Sequence, residues 1–391
     1  MLEDTTQAMQ SWWASFTENQ WSVLSHQQVT TPIQDVRVDI TTIIEMANQN
    51  EKVSDIHISA GDYLSFRITG DIVKQTQYGK ISSEFMELFL KHLMQSDTDR
   101  IAKFWSQKDM DFAYLSKDGT TYRVNAFMKL WKVAVVMRKI NATARSIESL
   151  MYEDIAWSIK KHILARKTWL FLVTGPTWSG KSTSLVAMLQ YLNQTTNGHM
   201  ITIEDPIEFI FKAEKCLISQ RELWGDTWSF INALRSAMRE DPNIVFVWEI
   251  RDTDTAEAAL NLAETGHMVF STLHTSSAAT TINRYLSLFP PEIQSNVSDR
   301  LSDSLAWVLS QYLVKSKDEA SRVWLYELMI NNTAVRNNIK KWDIKGIDNI
   351  IETSSSHGMI SMKSYAQRLL SQWLISEESV QWLFLNTQQT D

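Results

Sequence analysis

Cysteine, glycine and a basic surplus are what this chain has least of. A single cysteine, Cys216, excludes an internal disulfide and any cysteine-based zinc site. Its expected role is a small apolar side chain at a strand edge. Lysine and arginine number 38 against 45 aspartates and glutamates, a net charge of −7, so no basic surplus points to nucleic acid. No apolar run approaches the roughly 20 residues that cross a bilayer. The acidic opening Met1-Leu2-Glu3-Asp4 carries no signal-peptide pattern. These absences predict a cytoplasmic protein, with peripheral docking to a membrane complex left open. Glycine is the most telling shortage: eleven in 391 residues is about 3%, where roughly 7% is usual.

Tryptophan, ordinarily among the rarest residues, outnumbers glycine here with sixteen copies. Several stand where a glycine is expected: Trp178 inside a loop, Trp248 just after an apolar strand, Trp224 beside Gly225 in a turn. The expectation is that many of these letters are glycine in the cell, through a genetic code that reads UGA as glycine where this translation wrote tryptophan. The alternative is a chain that is tryptophan-rich in fact.

The clearest chemical signal is a phosphate-binding loop. The apolar run 169–174 leads directly into Gly175-Pro176-Thr177-Trp178-Ser179-Gly180-Lys181-Ser182, with Thr183 continuing into a helix expected over about 182–194. This is G-x-x-x-x-G-K-[ST] between a buried strand and a helix. Its backbone N–H groups and the helix N-terminus converge on a bound anion. Lys181 would reach the outer phosphates of ATP, and the Ser182 hydroxyl would sit on Mg²⁺.

Around that loop, strands and helices alternate from about 151 to 330, which predicts an α/β domain with a mostly parallel sheet and ligands at the C-terminal strand ends. Long helices are expected at about 278–287 and 291–315, then a strand at 322–330 and a helical region over 331–391. Residues 1–37 are polar and aperiodic and predict a flexible extension. Residues 38–142 predict a smaller α+β domain: alternation at Ile56, Ile58, Leu64, Phe66 and Ile68, helical spacing over 83–95, and a hairpin about Asp118-Gly119. Residues 143–150 are the expected linker.

Further segments end apolar strands with polar residues. Thr202–Glu208 carries Glu204, Asp205 and Glu208, carboxylates able to orient an attacking water. Ile244–Glu249 ends in Glu249, the acid that partners magnesium in Walker B strands. His267 and His274 bracket the strand 268–273 and are candidate γ-phosphate sensors. Arg221, Arg235, Arg239 and Arg251 crowd Glu240, Asp241 and Asp252, and some of them are expected to form simple ion pairs.

Together these segments resemble the hexameric type II/IV secretion ATPases, and among them the type IV pilus retraction motors, over about residues 50–385. Gly175–Ser182 resembles the family's Walker A, Thr202–Glu208 its Asp box, Val247–Asp252 its Walker B and Gly266–His274 its His box. Arg235–Pro242 resembles the lead into Walker B, and Ser54-Asp55-Ile56-His57 also matches, with His57 read as structural. The resemblance implies a RecA-like ATPase core behind a PAS-like domain, and a homo-hexamer acting on an inner-membrane platform protein and, through it, on pilin. It implies Glu208 as catalytic glutamate and Glu249 as the magnesium and water support. Arg123 and Arg138 match arginines that reach a neighbouring subunit's nucleotide.

Trp131, Trp169, Trp178, Trp224, Trp248, Trp307 and Trp373 fall where that family commonly has glycine. The lone cysteine cannot build the four-cysteine zinc insertion common in the extension motors. Thr333–Ile339 resembles a short motif of the retraction group, with Asn338 replacing an apolar residue. Three alternatives stay open: an accessory, assembly or DNA-uptake motor of the same fold, a nucleic-acid translocase, and a degenerate ring subunit if Trp178 and Trp248 are real.

Overall fold

The computed structural model describes residues 38–140, 144–164, 168–223, 225–318 and 321–385. The extension expected over 1–37 and Trp224 lie outside them. Two compact units emerge among the described residues: those up to Asp97 with Ala126–Val136, and those of Thr98–Asn125 with Met137 onward.

In the first unit, helix α1 (Ile40–Gln49) begins where the Asp39 carboxylate accepts from the Thr42 N–H at 2.8 Å. Ile43, Ile44 and Ala47 then share its buried face. That spacing was legible but lies in a stretch for which no helix was expected. Strands β1 (Val53–Ser59), β2 (Ser65–Ile68) and β3 (Asp71–Lys74) form an antiparallel meander. Helix α2 (Ser83–Leu93) starts at a Ser82 cap and buries Phe85, Met86, Phe89, Leu90 and Leu93, whereas Leu88, which the helical spacing also counted, is exposed. With β4 (Asp109–Leu115), β5 (Thr121–Lys129) and β6 (Lys132–Lys139), one six-stranded sheet has the order β3-β2-β1-β6-β5-β4; of these three strands only Ala126–Val136 falls in the first unit.

The second unit is organised by a seven-stranded sheet. Its strands are β7 (Trp169–Thr174), β8 (Gly198–Glu204), β9 (Cys216–Glu222), β10 (Ile244–Val247), β11 (Met268–Leu273), β12 (Leu305–Lys315) and β13 (Arg322–Ile330). The order is β13-β12-β7-β11-β10-β8-β9, parallel throughout except for the β12–β13 pair. This is the α/β, mostly parallel architecture that the alternation predicts. Phe171 on β7 stacks on Phe270 of β11 at 4.7 Å between ring centroids, and Trp307 meets Phe171 edge-on. Buried on both faces, the central strands read as unbroken apolar runs.

Residues 291–315 are not one helix. A helix runs over Pro291–Ser304, and the chain then enters β12 at Leu305. The serine- and aspartate-rich first half suits a surface helix. Leu305–Leu309 is a continuous buried run, and periodicity alone does not separate a buried strand from a buried helix there. Cys216 opens β9, buried at the sheet edge.

Candidate functional site

Strands β7, β8, β10 and β11 run parallel, so their C-terminal ends open onto one edge of the sheet, and the segments singled out above leave from that edge. The loop after β7 leads into a helix over Lys181–Thr195, capped by Gly180 at φ 83°. Gly175 is irreplaceable: a Cβ there would stand 2.2 Å from the Gln311 carbonyl oxygen and 2.6 Å from Ser179 Oγ. The loop is braced by β12, where the buried amide Nε2 of Gln311 donates to the Ser179 carbonyl at 2.7 Å. Thr174 Oγ1 meets Ser310 Oγ at 2.9 Å directly below.

Lys181 curls back and donates to the carbonyls of Gly175 (2.8 Å) and Pro176 (3.0 Å). Burial pulls its pKa from the usual lysine range down to about 8, while Glu249 and Glu208 oppose that fall. Its Nζ also lies 3.4 Å from His274 Nδ1, and His274 Nε2 lies 3.4 Å from Glu249 Oε2. An ammonium only donates and a carboxylate only accepts. The ring therefore presents Nδ1 to the cation and Nε2 to the carboxylate. Lys181, His274 and Glu249 form one continuous polar chain from the phosphate loop to the end of β10.

Glu249 is also held by Arg251 at 2.8 Å, so Arg251 serves the site rather than pairing with Asp252. Asp252 instead caps the following helix through the Thr255 N–H. Arg221 pairs with Glu240 at 3.0 Å, one of the simple ion pairs expected.

The segment after β8 divides its carboxylates. Glu204 is buried, and its Oε1 accepts from Thr202 Oγ1 at 2.7 Å and Gln220 Nε2 at 3.2 Å. Burial raises its pKa to about 7, and the Thr202 and Gln220 side chains hold it in place as an anchor for the loop. Glu208 is part-exposed and faces Arg123 of its own chain, Oε1 to Nη1 3.0 Å. Arg123 also lies 3.8 Å from Asp111. This pairing lies within one polypeptide, and the role at a neighbouring subunit's nucleotide that the resemblance implies for Arg123 concerns an assembly of several chains. Arg138 is exposed near the end of β6.

His267 is not part of this cluster. It precedes β11 at the opposite edge of the sheet, roughly 20 Å of strand from His274. There its Nδ1 lies 3.0 Å from the Leu262 carbonyl, and its own carbonyl accepts from the Trp169 N–H. A cavity of about 370 Å³ opens at that same far edge, lined by Thr168, Glu264, Asp299 and Arg300 among others, away from the phosphate loop.

Sequence reasoning missed two supports. Gln311 was hidden inside the helix expected over 291–315, although a lone amide in an apolar run was a signal. Glu222 on β9 accepts from the N–H groups of Ile207 (3.2 Å) and Ala113 (2.8 Å), fixing the backbone next to Glu208. Burial raises its pKa to about 7.

For a metal, the available donors are the Ser182 hydroxyl at the helix start and the Glu249 carboxylate. These hard oxygens suit Mg²⁺, which keeps most of its shell for water and phosphate rather than an all-protein cage. Among the described residues no cluster of three or more histidines, cysteines or carboxylates stands ready to hold a cation alone, and no helix is long and apolar enough to cross a membrane.

The type II/IV secretion system protein family profile matches residues 31–381. The chain is 40% identical over 335 residues to a twitching motility protein of Neisseria gonorrhoeae, covering 84% of this chain and 87% of that one. It is 40% identical over 342 residues to the type IV pilus retraction ATPase PilT of Pseudomonas aeruginosa, covering 88% and 97%. A crystal structure of the pilus retraction motor PilT with bound ADP superposes with a TM-score of 0.79 at 36% identity, over 88% of this chain and 96% of that one.

Proposed function

The chain belongs to the type II/IV secretion system protein family, and we propose that it works as a ring-forming motor driving type IV pilus retraction. It is an ATP hydrolase. The observation that carries the reading is the polar chain Lys181–His274–Glu249 at the mouth of the phosphate loop.

Lys181 now spends its donors on two loop carbonyls, and a triphosphate would take them over. Ser182 and Glu249 would hold Mg²⁺, which neutralises charge on the β- and γ-phosphates when bound. Glu208 would orient and deprotonate the attacking water, released from Arg123 as the site closes. His274 touches both the lysine and the Walker B acid, so it would report loss of the γ-phosphate to both.

Six copies would form the ring, with Arg138 offered to the nucleotide of the adjacent subunit. The ring would sit in the cytoplasm against an inner-membrane platform protein and act on pilin through it, with no role for nucleic acid. Subunit sharing is checked by mixing Arg138→Ala with Lys181→Ala chains. A mixed interface pairs an intact loop with an intact arginine and should recover activity, and mixed rings that stay inactive would count against a shared site. Direction is tested in cells. Glu208→Gln should bind ATP without turning it over and leave pili extended but unable to retract. Loss of surface pili instead would assign the motor to assembly.

A further inference from the structure

Five of the twelve described tryptophans have positive φ: Trp131 (65°), Trp169 (150°), Trp178 (67°), Trp342 (55°) and Trp373 (60°). All other described non-glycine residues together supply six. A bulky side chain is strained in this region, and glycine is the residue that enters it freely. The same conformation occurs at eight glycines of this chain. Tryptophan thus behaves, in backbone terms, as glycine does.

Three of the five positions, 131, 342 and 373, are also places where the local motif asks for glycine. Leu130 and Trp131 make the two-residue loop between β5 and β6, both with φ above zero, as in type I′ hairpins that favour glycine second. Trp342 follows a helix over Thr333–Lys340, and its N–H bonds to the Ile339 carbonyl while Asp343 N–H bonds to that of Asn338. Trp373 follows a helix over Met362–Ser371 with the same pair of bonds, to Leu370 and from Leu374 to Leu369. Both are Schellman endings, whose left-handed residue is usually glycine. Trp178 lies in the phosphate loop between Gly175 and Gly180, and Trp169 opens β7. Gln95 makes the same helix ending with another residue, so no single position decides. The concentration on one residue type does.

The side chains offer no compensating burial where it could be expected. The indoles of Trp131, Trp178 and Trp373 are 95%, 73% and 74% exposed, so the largest apolar side chain is spent on solvent. With sixteen tryptophans against eleven glycines, composition, backbone and exposure agree.

We propose that positions 131, 169, 178, 342 and 373 carry glycine in the native polypeptide, their codons being UGA read as glycine by the cell's own translation. At 178 this removes an exposed indole from the phosphate loop and leaves that stretch of backbone open to the anion. Trp248 and Trp307 lie outside the left-handed region, and the assignment stops at the five.

The test is peptide mass spectrometry of the protein isolated from its own cells. The tryptic peptide 168–181 spans two of the positions, and 369–391 holds a third. Glycine for tryptophan exchanges an indolylmethyl group for a hydrogen at each, a mass loss no common modification mimics. Glycine at all five is the expected result, and tryptophan at any of them overturns the assignment. A second measurement needs no native source: the chain with glycine at the five positions should melt at a higher temperature than the chain as written, and an equal or lower one would count against it.

Discussion

The two edges of the seven-stranded sheet carry the same residue type on the same strand and put it to different uses. His274, just past the C-terminal end of β11, stands between a cation and a carboxylate, with its side chain 43% exposed. His267, just before the N-terminal end, lies against the Leu262 carbonyl and Thr265. At the first edge four parallel strands release loops that converge. At the second the chain returns from helices, and Arg300 satisfies itself on Glu257, Glu264 and Asn261. A histidine's role here follows from which end of a parallel strand it occupies, and not from its place in a motif.

The comparison breaks most sharply at Lys181. Lys181→Ala removes the cation facing the outer phosphates and touches no core contact, so hydrolysis should fall by about 10³-fold or more with the fold intact. Arg300→Ala, at the other edge, should leave turnover unchanged while lowering the melting temperature. Purified protein, a steady-state ATPase assay and a thermal melt decide both. Equal activity losses in the two variants would mean that the edges are not functionally distinct.

The histidines give the next largest effect. His274→Ala interrupts the link between Lys181 and Glu249 and should lower kcat by about 10²-fold, in the range of positioned acid–base groups. His267→Ala should leave kcat alone and cost about 1 kcal/mol of stability through its lost hydrogen bonds. If His267→Ala lost activity as His274→Ala did, both would act on the nucleotide after all.

Much of this site was legible because its residues carry spacing. The loop from Gly175 to Ser182, the run of carboxylates after β8 and the acid after β10 each combine an apolar strand with a polar end. Position in the parallel sheet then follows from alternation alone. The supports were not legible, because their meaning comes from partners far along the chain. Gln311 matters through Ser179, and Glu222 through Ile207 and Ala113. No local pattern encodes such pairings. The division between Glu204 and Glu208 was equally hidden: both end the same strand motif, and only burial separates the anchor from the part-exposed carboxylate that meets Arg123. The helix expected over 291–315 failed at Ser304, where patterning changes from amphipathic to uniformly buried.

The smallest effect is a pH dependence confined to the phosphate edge. The free protein holds Lys181 at a pKa near 8, lowered by burial. A bound triphosphate surrounds the amine with negative charge and raises that value. Below pH 8 the lysine is charged with or without nucleotide, so affinity should be flat with respect to this group. Above pH 8 the free amine is neutral and must take up a proton on binding, so affinity should fall by up to about tenfold per pH unit until the bound-state pKa is reached. Glu249 works against the depression of Lys181, so Glu249→Gln should move the onset of the fall to lower pH. Titration calorimetry in buffers of different ionisation enthalpy reads the proton uptake directly. Affinity that holds level from pH 7 to 10, with no proton taken up, would mean that burial does not depress Lys181 in the free protein.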